Sequence, residues 1–358
     1  ENAGLRKIYK IVHPDQTTLL YGYDTDMNLV QATDELGRVT RFTYDSNANV
    51  TAVTDAAGQT TRVDYAPNIN LPSIVQDPKG NRTFMSYDAR RNLIEVRDAQ
   101  NNATRMSYDA LGHVTATRDA LGNVTNMNYN GNGALVSATD ALGRTVILAR
   151  DALSRLTQSK DPANKQTDFT FDATGNVTQV KDALNGITAS VYQTGRGDRQ
   201  PASVTDSNSH ATSFGYDVLG RLTSVTNALN QAASVGYDAK SRPTTITTRS
   251  GQSIGLAFDQ RDRLTQLTAP EGIVTLGYDS AGRMTSASNY NGSALVMGYD
   301  TLDRITHEVQ TLPNGFQVTL DRTYDANGNE TKLTSNWGDF SYSYDSLDRL
   351  TRIVNPYG

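Results

Sequence analysis

The stretch "YDALGHVTATRDALGNVTNMNYN", Tyr108 to Asn130, writes Asp-Ala-Leu-Gly twice and returns to the aromatic with which it began. Nothing else constrains the fold as strongly, because the phrase recurs along the chain. Aligning on Tyr-Asp gives about sixteen units at a mean spacing of roughly 21 residues, the scale of tandem-repeat architectures. Tyr23, Tyr44, Tyr87, Tyr108, Tyr216, Tyr237, Tyr278, Tyr299, Tyr324 and Tyr344 are each followed by Asp. Phe171 and Phe258 keep ring and carboxylate, while Tyr65, Tyr129 and Tyr192 keep the ring alone. The unit around Asp151 replaces its ring with Ala149-Arg150. The spacing stretches after Tyr192 and Tyr299, and both insertions carry Pro and Gly, which reads as loops. The expectation is one repeat array over residues 1–358, a section of a larger protein.

Ahead of each aromatic, apolar and small or polar residues alternate: Phe42-Thr43-Tyr44, Met106-Ser107-Tyr108, Phe214-Gly215-Tyr216, Val235-Gly236-Tyr237. Successive side chains of a strand point to opposite faces, so this is a strand with one apolar and one thin polar face. Ser190 and Arg322 break the pattern. A turn follows each Tyr-Asp, as at Asp109–Gly112, Asp217–Gly220 and Asp279–Gly282. Asp bonds the backbone two residues on, and Gly, Asn or Asp in fourth place tolerates the positive φ of a left-handed closing residue. About ten residues later a second turn appears, as at Asp34, Asp55, Asp119 and Asp140. Each unit is therefore two strands and two turns of an antiparallel meander. In the intervening strand, pairs such as Val50/Val53, Leu93/Val96 and Leu264/Leu267 are three apart rather than two. The segments are too short and Thr-rich for a helix, so a bulged or strongly twisted strand is expected.

Such a meander has about thirty-two strands spaced roughly 4.8 Å, a ribbon on the order of 150 Å long. Open sheets rarely pass about ten strands without curling, and twist accumulates. The ribbon must coil, either enclosing a space or folding flat as a sandwich. Hydrophobic residues are 37% and mean hydropathy is -0.52, which with abundant Tyr favours a large polar-walled structure. The net charge of -5 comes without a basic stripe, so nucleic acid is not an expected partner. There is no cysteine for disulfides or thiolate metal sites, and no apolar run approaches the roughly 20 residues of a membrane helix. The N-terminus, "ENAGLRKIYK", lacks the apolar region of a signal peptide.

The units resemble the YD repeats, near Y-D-x-x-G-R-[LV]-T, of Rhs proteins, Tc toxin C subunits and teneurins. "YDVLGRLTSVTNALN" from Tyr216 and "YDSAGRMTSAS" from Tyr278 are close to that pattern. The resemblance implies an all-β spiral that forms a hollow, shell-like sheet. It implies encapsulation of a toxic C-terminal passenger of the same polypeptide, secreted or injected from a bacterium, with secretion-apparatus proteins as partners. An adhesion or recognition module binding carbohydrate or protein on its outer surface is the alternative.

Bacterial relatives end the shell with an autoproteolytic segment resembling D-P-x-G-L-x-G-G. "DPKGN" at Asp77 and "DPANK" at Asp161 sit at ordinary second turns and do not continue that way, so no catalytic residue is assigned and no enzyme is expected. His13, His113, His210 and His307 are scattered, without the convergence zinc needs. Asp24 and Asp26 lack the other ligands of a calcium loop. No nucleotide or nucleophile motif points to a cofactor. Arg38, Arg155, Arg221, Arg263, Arg283, Arg304 and Arg349, after the turns, read as an ion-paired or solvated rim, and Trp337 as a packing residue. The residues expected to carry the structure are the repeat aromatics and turns named above. The strand edges at the two ends of the array could self-associate.

Overall fold

The computed structural model describes residues 7–194 and 199–357, so the insertion after Tyr192 lies partly outside the described residues. It is an all-β chain: 33 strands, numbered in chain order from β1 (Lys10–Val12) to β33 (Leu350–Val354), form one sheet that stays open. The pairing is that of an antiparallel meander. β4 (Val39–Tyr44) pairs with β5 (Val50–Thr54), and β5 with β6 (Thr60–Tyr65).

The Tyr-Asp hairpins share one irregularity, seen in the hairpin after β4. Phe42 faces Val53 and Thr43 faces Ala52, but Tyr44 faces Val50, so Thr51 is an extra residue on β5. That bulge puts Phe42, Tyr44, Val50 and Val53 on one face. It is the physical reason apolar residues of the intervening strand stand three apart, and it increases local twist. The same shift occurs at Tyr108, Tyr216, Tyr278 and Tyr344.

The added residues after Tyr299 behave differently from the expected loop. They lengthen β29 (Ile305–Thr311) and β30 (Gln317–Tyr324), which stay in continuous register from His307↔Asp321 to Thr311↔Gln317. Two residues added to each partner preserve the side-chain alternation, so the ladder extends while Pro313 and Gly315 sit in a turn of ordinary size.

Among the described residues no hydrophobic side chain is buried. The stripe face is half-buried and the opposite face exposed, as in β4 and in β22 (Ala232–Tyr237). The surface is 21703 Å², whereas a compact globule of this mass would expose about 14,000 Å². A single layer of sheet is held by cross-strand pairs and backbone ladders rather than by a closed core.

The residues group into two compact units: 1–86, 96–102 and 255–358 in the first, 87–95 and 103–254 in the second. In both, turns after even-numbered strands, such as Asp109, lie on one edge of the ribbon, and turns after odd-numbered strands, such as Asp119, on the other.

Candidate functional site: the turn and tyrosine clasp

The turn after β20 (Ala211–Tyr216) represents the repeating site. The Asp217 N–H donates to the Arg221 carbonyl (3.0 Å) and the Gly220 N–H to the Asp217 carbonyl (3.0 Å). One carboxylate oxygen of Asp217 accepts from the Leu219 and Arg221 amides (2.9 and 3.0 Å), the other from Arg221 Nε (2.7 Å). The fourth residue is left-handed, with φ of 88° at Gly112, 78° at Gly220 and 88° at Gly282. Ala48, Arg91 and Ser154 also take this conformation, at φ of 62°, 67° and 63°. The carboxylate network therefore holds the turn even where no glycine eases it.

These bonds depress the turn carboxyls. At Asp217 the Arg221 amide is the largest cause, opposed by burial and aided by the Arg221 side chain. At Asp109 the His113 side chain leads. At Asp279 burial pushes upward most strongly, but the Arg283 side chain and amide outweigh it.

Where an arginine closes a turn after a Tyr-Asp or Phe-Asp pair, as at Arg221 and Arg263, its guanidinium also reaches the next unit; elsewhere asparagine closes the turn, as at Asn49 and Asn176. The Arg221 guanidinium lies 4.6 Å from the Tyr237 ring centroid, and the Tyr237 hydroxyl donates to the carbonyl of Leu222, the residue after that arginine, at 2.7 Å. Arg263 over Tyr278 (4.9 Å), Arg283 over Tyr299 (4.6 Å) and Arg304 over Tyr324 (4.7 Å) repeat the stack. The hydroxyl bond recurs at Tyr44, Tyr65, Tyr108, Tyr129, Tyr192 and Tyr216, each to a carbonyl fifteen residues earlier. It recurs with other spacings at Tyr278, Tyr324 and Tyr344, and Tyr23 donates to the carbonyl of Ile8. Phe171 keeps the stack, on Arg155 at 4.6 Å. Tyr87 and Phe258 occupy the same half-buried position on the stripe.

Two sequence exceptions preserve the clasp by other chemistry. Arg150, where the ring is lost, donates from Nε to the carbonyl of Leu135, fifteen residues earlier, at 3.2 Å. His113 replaces the closing arginine, bonding Asp109 through Nδ1 (2.8 Å) and stacking on Tyr129 at 4.8 Å. Arg322, the charge on the apolar stripe, is neutralised by Glu308 (3.1 Å) and Glu330 (3.5 Å).

In the first unit the two rows of turns meet along a seam. Arg38 pairs with Asp303 at 2.6 Å, Arg261 with Glu35 at 2.9 Å, and Lys79 with Asp325 and Asp348 at 2.7 and 2.9 Å. Asn327 donates to Asp77 (2.7 Å) and Arg349 to Gln100 (2.6 Å). Asp77 and Asp161 both close ordinary turns. His13 faces Glu35, His210 faces Asp206 and His307 faces Asp321. Among the described residues no three His, Asp or Glu side chains are grouped as a metal site requires. Trp337 lies exposed at the tip of a tight turn.

The sheet and clasp define a class: a tandem-repeat β protein in which a side chain of each unit, most often a tyrosine, reaches back to the unit before, and the turn carboxylate is closed by an arginine, asparagine or histidine. Family models agree. The RHS repeat matches residues 23–61, 87–124, 129–165, 150–187 and 324–358, and the teneurin YD-shell matches residues 197–276. The chain belongs to the Rhs/YD-repeat family. It is similar in fold to the TcdB2-TccC3-Cdc42 crystal structure (15% identity, TM-score 0.77), covering 94% of this chain and 21% of that one. The TcdB2-TccC3-TEV structure gives 14% identity and TM-score 0.79 with the same coverage. A Photorhabdus luminescens Tc holotoxin pore gives 15% and 0.73, over 94% of this chain and 22% of that one. The chain thus spans about a fifth of the length of the solved structures it matches. No curated protein matches it by sequence.

Proposed function

We propose that this chain is a section of the wall of a bacterial toxin shell that sequesters a toxic C-terminal passenger of the same polypeptide until delivery. The observation that carries the reading is the single-layer sheet with no buried hydrophobic side chain among the described residues. A wall needs two accessible faces and a continuous ladder, and a globular enzyme needs neither. On this reading no residue performs bond chemistry; the clasps maintain register and the passenger lies against the sheet. The protein would be secreted or injected, with secretion-apparatus proteins as partners. Residues 1–358 act as one array. The test is the parent reading frame beyond the codon for Gly358. Further YD units, an Asp-Pro-x-Gly-Leu segment and an unrelated C-terminal domain are expected. A membrane anchor or wall-attachment repeats there would overturn the reading.

One observation favours surface recognition as a second reading. Tyr290, Trp337 and Tyr357 are exposed on one edge of the first unit, in the turns after β27 (Met284–Ser288), after β31 (Glu330–Ser335) and after β33. Aromatic faces in a row suit sugar rings. A glycan array separates the readings, because a pure container binds nothing on it.

A further inference from the structure

Arginines that follow a turn, such as Arg155, Arg221 and Arg283, are committed to the carboxylate of that turn. Arg41, Arg62 and Arg82 are committed to nothing. They project from strands of the first unit, on the exposed face opposite the stripe, and among the described residues no carboxylate pairs with them.

The register sets these three in one row across the sheet. Arg41 on β4 faces Gln31 of β3 (Leu29–Thr33) on one side and Thr54 of β5 on the other. Ala52, two residues from Thr54 and on the same face, pairs with Arg62 of β6. Gln76 of β7 (Pro72–Gln76) then stands between Arg62 and Arg82 of β8 (Arg82–Tyr87), paired with both. Alternate strands are roughly 10 Å apart, so successive arginines stand at about that interval with glutamine or threonine between them. The one carboxylate on this face of β3–β8 is Asp64. No window of the sequence contains the row, because its members are a repeat apart and only the meander lays them side by side.

A row of unpaired guanidinium groups is complementary to anions, and each offers a fork of donors that matches a carboxylate or a sulfate. The shape of the row selects among polyanions. A membrane surface asks for a plane of charge, whereas each strand turns about 20° from the last and the arginines make a line. A single-stranded nucleic acid asks for uncovered rings on which its bases stack. The one ring on this face of β3–β8, Phe84, has the Arg97 guanidinium over it at 5.3 Å. Between the arginines lie Gln31, Thr54 and Gln76, neutral groups that hydrogen-bond hydroxyls.

We infer that this row binds an acidic polysaccharide with one acidic group per disaccharide. Alternate sugars of such a chain carry the charge, as alternate strands here carry the arginines, and the hydroxyls between meet the glutamines and threonine. The inference rests on surface recognition, the second reading above, and gives it a ligand class on a face separate from the aromatic edge.

Titration calorimetry of the whole chain with a hyaluronan decasaccharide, at low and at high salt, tests this. The wild-type chain binds, and added sodium chloride weakens the binding. A variant with Arg41→Ser, Arg62→Ser and Arg82→Ser binds at least tenfold more weakly and unfolds at the wild-type temperature, because these side chains hold nothing in the fold. A control with Lys165→Ser and Arg249→Ser, exposed cations of the second unit, binds as wild type. A chain that does not bind the decasaccharide overturns the inference. So does a triple variant that binds as wild type, or a control that loses affinity as well. Tighter binding of a DNA duplex of the same total charge, lost with the same three substitutions, overturns it in favour of nucleic acid. Neutral glycans held by Tyr290, Trp337 and Tyr357 would bind the triple variant unchanged, so failure at the arginine row is distinct from failure of recognition at that edge.

Discussion

Tyr237 offers the sharpest test of the clasp. Its ring is half-buried on the stripe, its hydroxyl donates to the Leu222 carbonyl at 2.7 Å, and the Arg221 guanidinium lies 4.6 Å from the ring centroid. Half-burying an aromatic side chain contributes about 1.5 kcal/mol, the net hydrogen bond about 1 kcal/mol, and the partly exposed cation–π contact about 0.5 kcal/mol. Tyr237→Ala should therefore destabilise locally by about 3 kcal/mol, near the low end for truncating an aromatic. Tyr237→Phe, which keeps the ring and the stack, should cost about 1 kcal/mol. In a repeat array stability is a sum over units and their interfaces, so the loss belongs to the strands around Tyr237. Hydrogen exchange resolves this: faster exchange is expected in β21 (Leu222–Thr226), β22 and β23 (Pro243–Thr247), with distant strands unchanged. If Tyr237→Phe exchanges like wild type and Tyr237→Ala costs under about 1 kcal/mol, the clasp does not hold the wall together.

Three further outcomes are expected. Asp172 is held at about 2, by the Thr174 hydroxyl first, against burial and with the help of Asn176. Its folded value lies below its unfolded one of about 3.9, so its stabilisation is present above that pH and is lost as pH falls through about 2. Urea midpoints should be level above about pH 5 and fall between about pH 4 and pH 2, with a smaller fall in Asp172→Asn. At Gly282, where φ is 88° and an added Cβ would meet nothing closer than 3.9 Å, Gly282→Ala should lose about 1 kcal/mol through backbone strain alone, read from the same midpoints. A double-mutant cycle on Arg38 and Asp303, 2.6 Å apart and partly exposed, should give a coupling of about 0.5–1 kcal/mol that weakens with salt.

The repeat, its two strands and two turns, and the bulge were legible because each leaves a local mark: Asp and Gly at fixed offsets, alternation before the ring, and apolar pairs three apart after it. The stack of Arg221 on Tyr237 was legible in principle, since a closing cation precedes the next ring at nearly constant spacing, but a pattern read one turn at a time separates the two. Arg150 shows the limit of reading by residue type. The unit needs a donor aimed at a carbonyl, and a guanidinium meets that need as well as a phenol. The seam left no local signal: nothing in the sequence near Arg38 points to Asp303, because that contact depends on twist accumulated over many strands. Likewise the half-burial of the stripe follows from the sheet being one layer thick, which composition suggests but does not fix.

If the sheet shields a passenger, as proposed, protease protection in the parent polypeptide reveals it. A nonspecific protease should leave the segment after Gly358 intact while the repeats are folded, and should cut it at the rate of the isolated segment once urea has unfolded them. A segment digested at that rate with the repeats still folded would contradict the claim.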